Sequence, residues 1–296
     1  MTKPIRILFN TWANESNLNA QSLTAREISL RLDPKLFNST LFIGHGQDPD
    51  PRLLDRSGIS LCTVTPRLGS MAIAARMIWG PEQILFYPSL NTRASHIYWR
   101  LKRAGRPKVA IENIECSLAQ IKALPPKALA HSVTNIKGAD FCFSITSTIS
   151  ASIEQEYHVR TGVIPLGVNL GLFRPEDRSG HGLPVRVLYV ASIQPRKQPH
   201  IVLELARRIR SEFVEFHLIG PVIGDASYRN SLIEEAARDG LTNVFFHGPK
   251  KQDEVLRWMK MSDIFVLPSR LEGFGKVMIE AGATGLPSIV FSDYQT

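Results

Sequence analysis

The chain has 296 residues, 44% of them hydrophobic and 21% charged. That length and balance exclude a disordered or fibrous polypeptide and predict two globular domains. The net charge of +8 lies wholly in residues 1–150, where 18 lysines and arginines face 10 acidic residues, against 17 and 17 beyond. A basic half suits a phosphorylated substrate, an anionic lipid surface or nucleic acid, or is simply a basic soluble domain.

The first segment, "MTKPIRILFNTW", has an apolar run ending at Asn10. It is too short for a signal-peptide core or a membrane span and predicts a buried strand. A loop, "TWANESNLNAQSLTARE", leads into a helix expected from about Ala20 to Leu32, with Ala25, Ile28 and Leu32 on one face. Short apolar runs come next: "STLFIG", "ISLCTV", "QILFYP", "KVAIEN" and "FCFSIT". They predict strands of a first α/β domain. Within it, "TRASHIYWRLKRAGRPK" places Arg93, Arg100, Lys102, Arg103, Arg106 and Lys108 among Tyr98 and Trp99. Such a helix suits an anionic membrane surface, or is an ordinary amphipathic helix with Ile97 and Leu101 facing the core. No recognised nucleic-acid motif accompanies the charge, so nucleic-acid binding is not expected. Glu112, near the end of "KVAIEN", and Glu115, just beyond it, either orient a hydroxyl of a ligand or form a solvated strand end.

A Gly- and Pro-rich stretch, "GVIPLGVNLGLFRPEDRSGHGLP", then predicts a join. The expected division is 1–170 for the first domain, 171–184 for the linker and 185–296 for the second domain. From 185 on, "VRVLYV", "VEFHLIG", "VFFHG", "DIFVLPS" and "PSIVF" alternate with helical patterns. That alternation predicts a doubly wound parallel sheet, whose ligands bind beyond the carboxyl ends of its strands, here in an interdomain cleft. Cys62, Cys116 and Cys142 have no metal or disulfide spacing, which fits a reducing cytosol. Neither His-Glu-x-x-His nor Gly-x-Ser-x-Gly occurs, and no Gly-x-Gly-x-x-Gly comes after a strand. Metalloprotease, serine hydrolase and dinucleotide-dependent dehydrogenase readings are set aside.

The informative stretch is "PSRLEGFGKVMIEAGATGLP". Glu272 comes directly after a strand, Gly273, Phe274 and Gly275 lead into a helix, and Glu280 is expected about two turns along it. The glycines let backbone amides approach an anionic or polyhydroxyl ligand at a helix start. The two carboxylates can accept hydrogen bonds from hydroxyls on either side of a diphosphate. Arg196 and Lys197, after the domain's first strand, supply cations for that diphosphate, or are solvated loop charges.

"LPSRLEGFGKVMIEAGATGLPSIV" resembles the Glu-x7-Glu signature of the family 4 retaining glycosyltransferases. "VIPLGVNLGLFRP" and "VLYVASIQPRKQ" resemble two further motifs of that family in the same order. The resemblance is marked from about Phe141 to Phe291. It implies a GT-B fold, in which two doubly wound Rossmann-like domains face a cleft, and a nucleotide-diphosphate-sugar donor bound without a metal or other cofactor. It implies that Glu272 and the Gly273–Gly275 amides touch the donor sugar, that Glu280 holds the ribose, and that Lys197 holds the diphosphate. Arg196 stands in for an arginine that the family commonly has where this chain has Ser192, and Asn19 lies where many members have a Gly-rich turn near the phosphate. Transfer with retention to a glycan or lipid-linked acceptor, in polysaccharide biosynthesis, is expected, in the cytoplasm or peripherally at the inner face of the membrane. The chain ends sooner than the family pattern, so the second domain is expected to be incomplete. A nucleotide-sugar-binding remnant without catalysis is the alternative.

Overall fold

The structure is a computed structural model that describes residues 3–17, 20–87, 89–90, 92–175, 182–270 and 272–291. It divides into two units, Met1–Ile164 and Pro165–Thr296. The division falls near the start of the Gly- and Pro-rich stretch, ahead of the expected linker 171–184. Phe173 explains this: it is buried in the core of the second unit, with Val168 and Leu172 packed against the same cluster. Residues expected to be linker are thus spent as core.

The first unit runs β1 (Ile5–Trp12), α1 (Ala20–Arg31), β2 (Phe37–Gly44), β3 (Ile59–Val64), α2 (Gly69–Trp79), β4 (Ile84–Phe86), α3 (Thr92–Leu101), β5 (Val109–Ile114), α4 (Leu118–Lys122), α5 (Pro126–Gly138), β6 (Phe141–Ser144), α6 (Ser147–Tyr157) and β7 (Thr161–Val163). Its strands pair in parallel in the order β3-β2-β1-β4-β5-β6-β7. Side chains alternate across a strand, so Ile7 and Phe9 enter one core with Ala25 of α1. Leu8 enters the other with Ile73 and Met77 of α2 and Tyr98 of α3. Each fully buried side chain of this size contributes roughly 1.5–3 kcal/mol, which is why both faces must be covered.

The second unit runs β8 (Val185–Val190), α7 (His200–Ile209), β9 (Val214–Ile219), α8 (Ala226–Arg238), β10 (Val244–Gly248), α9 (Gln252–Met261), β11 (Ile264–Leu267), α10 (Lys276–Ala283) and β12 (Ser288–Val290). The order is β10-β9-β8-β11-β12, again all parallel. Val187 and Tyr189 pack with Val202, Leu203 and Ala206 of α7 on one face. Leu188 packs with Met259 of α9 and Ala281 of α10 on the other. Both sheets reverse their winding once, between β1 and β4 and between β8 and β11. Chain connections leave such a pair of neighbours in opposite directions, which opens a crevice at their carboxyl ends.

Candidate functional site

In the second unit the reversal between β8 and β11 brings together the two motifs that lie 75 residues apart in sequence. The chain leaving β8 makes a tight turn over Pro195–Lys197, closed by Gln198 in a left-handed conformation at φ 50. The hydroxyl of the buried Tyr189 donates to the carbonyls of Lys197 at 3.3 Å and Ser192 at 3.4 Å and so anchors that turn. Sequence reading passed over Tyr189, because an aromatic in an apolar run looks like core alone. From the other side of the crevice, the chain leaving β11 delivers Glu272, which is buried. Lys197 Nζ donates to Glu272 Oε1, and Arg196 lies 3.7 Å from Glu272 Oε2. Burial lowers the pKa of Lys197, and the Glu272 carboxylate opposes that shift. Ser192, at the position where an arginine is common, has a hydroxyl that accepts from Gln194 Nε2 at 2.6 Å. Ser269 Oγ and Gln198 Oε1, in the same two loops, are buried without a hydrogen-bond partner among the described residues. Buried polar atoms are nearly always paired, so groups left open in a crevice are suited to a ligand.

α10 begins just after Gly275, whose φ of 65 is left-handed and is readily adopted by glycine. Because that residue sets the start, Glu280 is the fifth residue of the helix, a little over one turn in rather than two. Glu280 is mostly buried, and burial raises its pKa to about 7 against the pull of Lys276, 4.0 Å away. Gly273 is buried and Phe274 half-buried beside it. Thus Glu272 is an ion-paired carboxylate, whereas Glu280 near neutrality also exists as a hydroxyl donor. Next to β8, Gly220 ends β9 with φ 152, and a Cβ there would lie 1.9 Å from the carbonyl oxygen of Ala191. That glycine lets the β9 and β8 loops touch, and nothing in its sequence neighbourhood marked it.

In the first unit, the β4–β5 ends gather a separate polar cluster. Glu112 is 5% exposed and accepts from the Ser89 hydroxyl at 2.5 Å and the Ser89 amide at 3.3 Å. Burial outweighs those bonds and lifts its pKa to about 7. Glu115 accepts from the Tyr87 hydroxyl and from Asn113 Nδ2 at 3.2 Å. Glu112 is therefore not a solvated strand end, and both carboxyls are held by neighbours. Asn19 lies outside the described residues. On α3, Tyr98 is 1% exposed and the Trp99 indole donates to Asn135 Oδ1 at 2.7 Å, so the aromatic pair is used inside the unit. Lys108 is bound to the carbonyls of Gly80 and Glu82, both at 2.6 Å, and Lys102 pairs with Asp140 at 3.3 Å. Arg93, Arg100, Arg103 and Arg106 stay exposed. Among the described residues, no group of three or more histidine, cysteine or acidic side chains is arranged to hold a metal ion.

Residues 174–296 match the family described as glycosyl transferases group 1. A D-inositol 3-phosphate glycosyltransferase of Thermobispora bispora is 32% identical over 237 residues, which is 74% of this chain and 51% of the relative. A protein of the same name from Nocardioides sp. is 31% identical over 178 residues, 52% of this chain and 39% of the relative. The chain thus spans about two fifths to one half of the length of these relatives. Among solved structures, HepE of Anabaena in complex with UDP and glucose superposes with a TM-score of 0.76 at 18% identity, covering 97% of this chain and 80% of that one. Sucrose-phosphate synthase of Thermosynechococcus elongatus gives 0.75 at 19%, covering 97% and 81%. The crevice that joins Lys197, Arg196 and Glu272 therefore lies within the residues that match glycosyl transferases group 1, in the second of two parallel-sheet Rossmann-like units that share the GT-B fold of these solved structures.

Proposed function

We propose that the protein transfers a sugar from a nucleotide-diphosphate sugar, with UDP as the nucleotide, to an acceptor hydroxyl with retention of configuration. The observation that carries this reading is the meeting of two cations and one carboxylate at the β8–β11 crevice. The UDP named with HepE and the transferase names of the relatives support it.

On this reading the donor diphosphate competes with Glu272 for Lys197 and Arg196, and the carboxylate turns to the hydroxyls of the donor sugar. Gly273–Gly275 amides approach the same sugar, and Glu280 accepts from the ribose. The bond from the anomeric carbon to the diphosphate oxygen breaks as the acceptor oxygen bonds that carbon on the same face. The acceptor's proton passes to the departing phosphate oxygen, so no protein nucleophile enters. Fixed positive charge at the leaving group and positioning of the acceptor supply the acceleration. The two cations carry the phosphate charge, and no metal is assigned. The acceptor is a glycan or a lipid-linked molecule, and the exposed arginines of the α3 region are the groups that would meet an anionic membrane carrying it.

Calorimetry with UDP and a panel of UDP-sugars, followed by product analysis, tests the proposal. Lys197→Ala is expected to weaken UDP binding about tenfold or more, the loss of one charged contact. Binding without turnover on any acceptor would support the nucleotide-sugar-binding alternative. Absence of any nucleotide-sugar binding would overturn both.

A further inference from the structure

A cavity of about 450 Å³ opens in the first unit beyond the carboxyl ends of β1, β2 and β3. It falls in the size range of small-molecule sites, roughly 300–1,000 Å³. Trp12 ends β1 and contributes its indole. Asn14 and Asn17 come from the loop after β1, Gln47 from the turn after β2, and Thr65 and Ser70 from the connection into α2 and its first turn.

The walls are braced from behind. Arg26 is 1% exposed, donates to the carbonyls of Asn14 at 3.0 Å and of Asn17, and pairs with Asp50 at 3.3 Å. Backbone bonds from Glu15 to Asp48 at 2.9 Å and from Asp50 to Ala13 at 2.8 Å join the two loops. Asn14 accepts from the Gly44 amide and donates to Gln47 Oε1, both at 3.3 Å. A cavity held in this way is formed before a ligand arrives, which lowers the cost of binding.

Its chemistry is neutral. Among the described lining residues there is no lysine, arginine, aspartate or glutamate, and His45 is the one titratable group. The basic excess of the first unit is thus placed elsewhere; Arg67, next to the lining Pro66, is exposed. A phosphate group taken out of water is held best by cations, and this lining supplies no fixed one, only the amides at the start of α2, which serve a neutral hydroxyl equally well. Three amides and two hydroxyls each donate and accept, as ring hydroxyls require, and an indole covers an apolar face. We propose that this cavity binds a neutral sugar ring, and that the acceptor is a neutral glycoside rather than a phosphorylated polyol. The second clause rests on the transferase reading; the first does not.

Saturation-transfer NMR on the full chain, with methyl glucoside, methyl galactoside and methyl mannoside as probes and glucose 6-phosphate as the charged counterpart, tests it. At least one neutral glycoside binds at millimolar concentration, and Gln47→Ala and Trp12→Phe each weaken it about fivefold, the first with an unchanged melting temperature and the second with a drop of only a few degrees, since Trp12 also packs on the core around Phe42. Gln47 is exposed and phenylalanine keeps an aromatic ring at position 12, so neither change threatens folding. The proposal is overturned if no neutral glycoside binds, if glucose 6-phosphate displaces methyl glucoside at lower concentration, or if neither variant alters binding. A UDP titration of the same sample separates the two readings. UDP binding without glycoside binding removes the cavity assignment and leaves the transferase. Glycoside binding without UDP binding leaves the cavity assignment and removes the donor site.

Discussion

Removing the charge of Glu272 while keeping its shape separates its observed contact with Lys197 from its proposed duty, accepting hydrogen bonds from a donor sugar. Glu272→Gln is expected to lower the transfer rate about 100-fold, the scale of one lost transition-state contact. UDP affinity is expected to hold or rise, because Lys197 no longer has a competing anion. Steady-state kinetics beside calorimetry reads both, and unaltered turnover would remove Glu272 from the assignment. The same change leaves a largely buried ammonium without its counterion, at a cost of ~1–3 kcal/mol in stability. Glu112 gives a pH prediction. Its carboxyl titrates at about 7 in the folded chain and near 4.5 in the unfolded one. Between those values the folded chain binds the proton more tightly than the unfolded chain. Stability from this group is therefore full below about pH 4.5 and is lost as pH rises towards 7, by up to ~3 kcal/mol. Glu280 adds a contribution of the same sign in the second unit. Glu112→Gln should flatten the slope and stabilise the protein at pH 8; thermal melts at pH 5 and 8 with parallel shifts in both proteins would refute this.

The loops at strand ends depend on elements that pack closely, and Gly220 is the tightest test of that in the second unit. Gly220→Ala would push a methyl carbon into the Ala191 carbonyl at a backbone angle that side chains rarely adopt. A loss of more than ~3 kcal/mol is expected, together with weaker UDP binding, since Ala191 opens the loop that carries Lys197. Denaturant titration and calorimetry measure the two, and a variant as stable as the parent would show that the β8–β9 contact yields. Strands such as Val185–Val190 and Val214–Ile219 were plain in the sequence because burial on both faces leaves them mostly apolar, with Arg186 and Glu215 near their starts and His217 as the exceptions. β7, only three residues long, was not, and neither was α2, where the apolar side chains Met71 and Trp79 face solvent and blur the period. The start of α10 moved because a left-handed glycine, not the hydrophobic pattern, sets it.

For the molecule as a whole, the proposed reading has two measurable consequences, one in membrane charge and one in metal dependence. No described helix is long and apolar enough to cross a membrane. If the exposed arginines of the α3 region meet a membrane, vesicles with anionic lipid should bind the protein and neutral vesicles should not, and Arg93→Ala/Arg100→Ala/Arg103→Ala should abolish flotation. Flotation that ignores lipid charge would remove the membrane from the proposal. On the proposed reading Lys197 and Arg196 take the place of a cation, so chelation with EDTA should leave UDP binding unchanged; a loss of affinity on chelation, restored by a divalent ion, would overturn that assignment.

The motif around Glu272, the cations at 196 and 197, and the alternation of strands and helices were all legible in the one-dimensional chain. Each depends on local chemistry: strand periodicity, glycine freedom, charge at a strand end. What the chain alone left open was which groups meet. Lys197 and Glu272 are joined because β8 and β11 are neighbours across a winding reversal, a property of strand order that no local pattern carries. The same holds for Glu112, whose titration near 7 comes from enclosure by the sheet end, and for Phe173, which drew the expected linker into the second core. Burial depends on what lies on the far side of a residue, and only the folded chain supplies that.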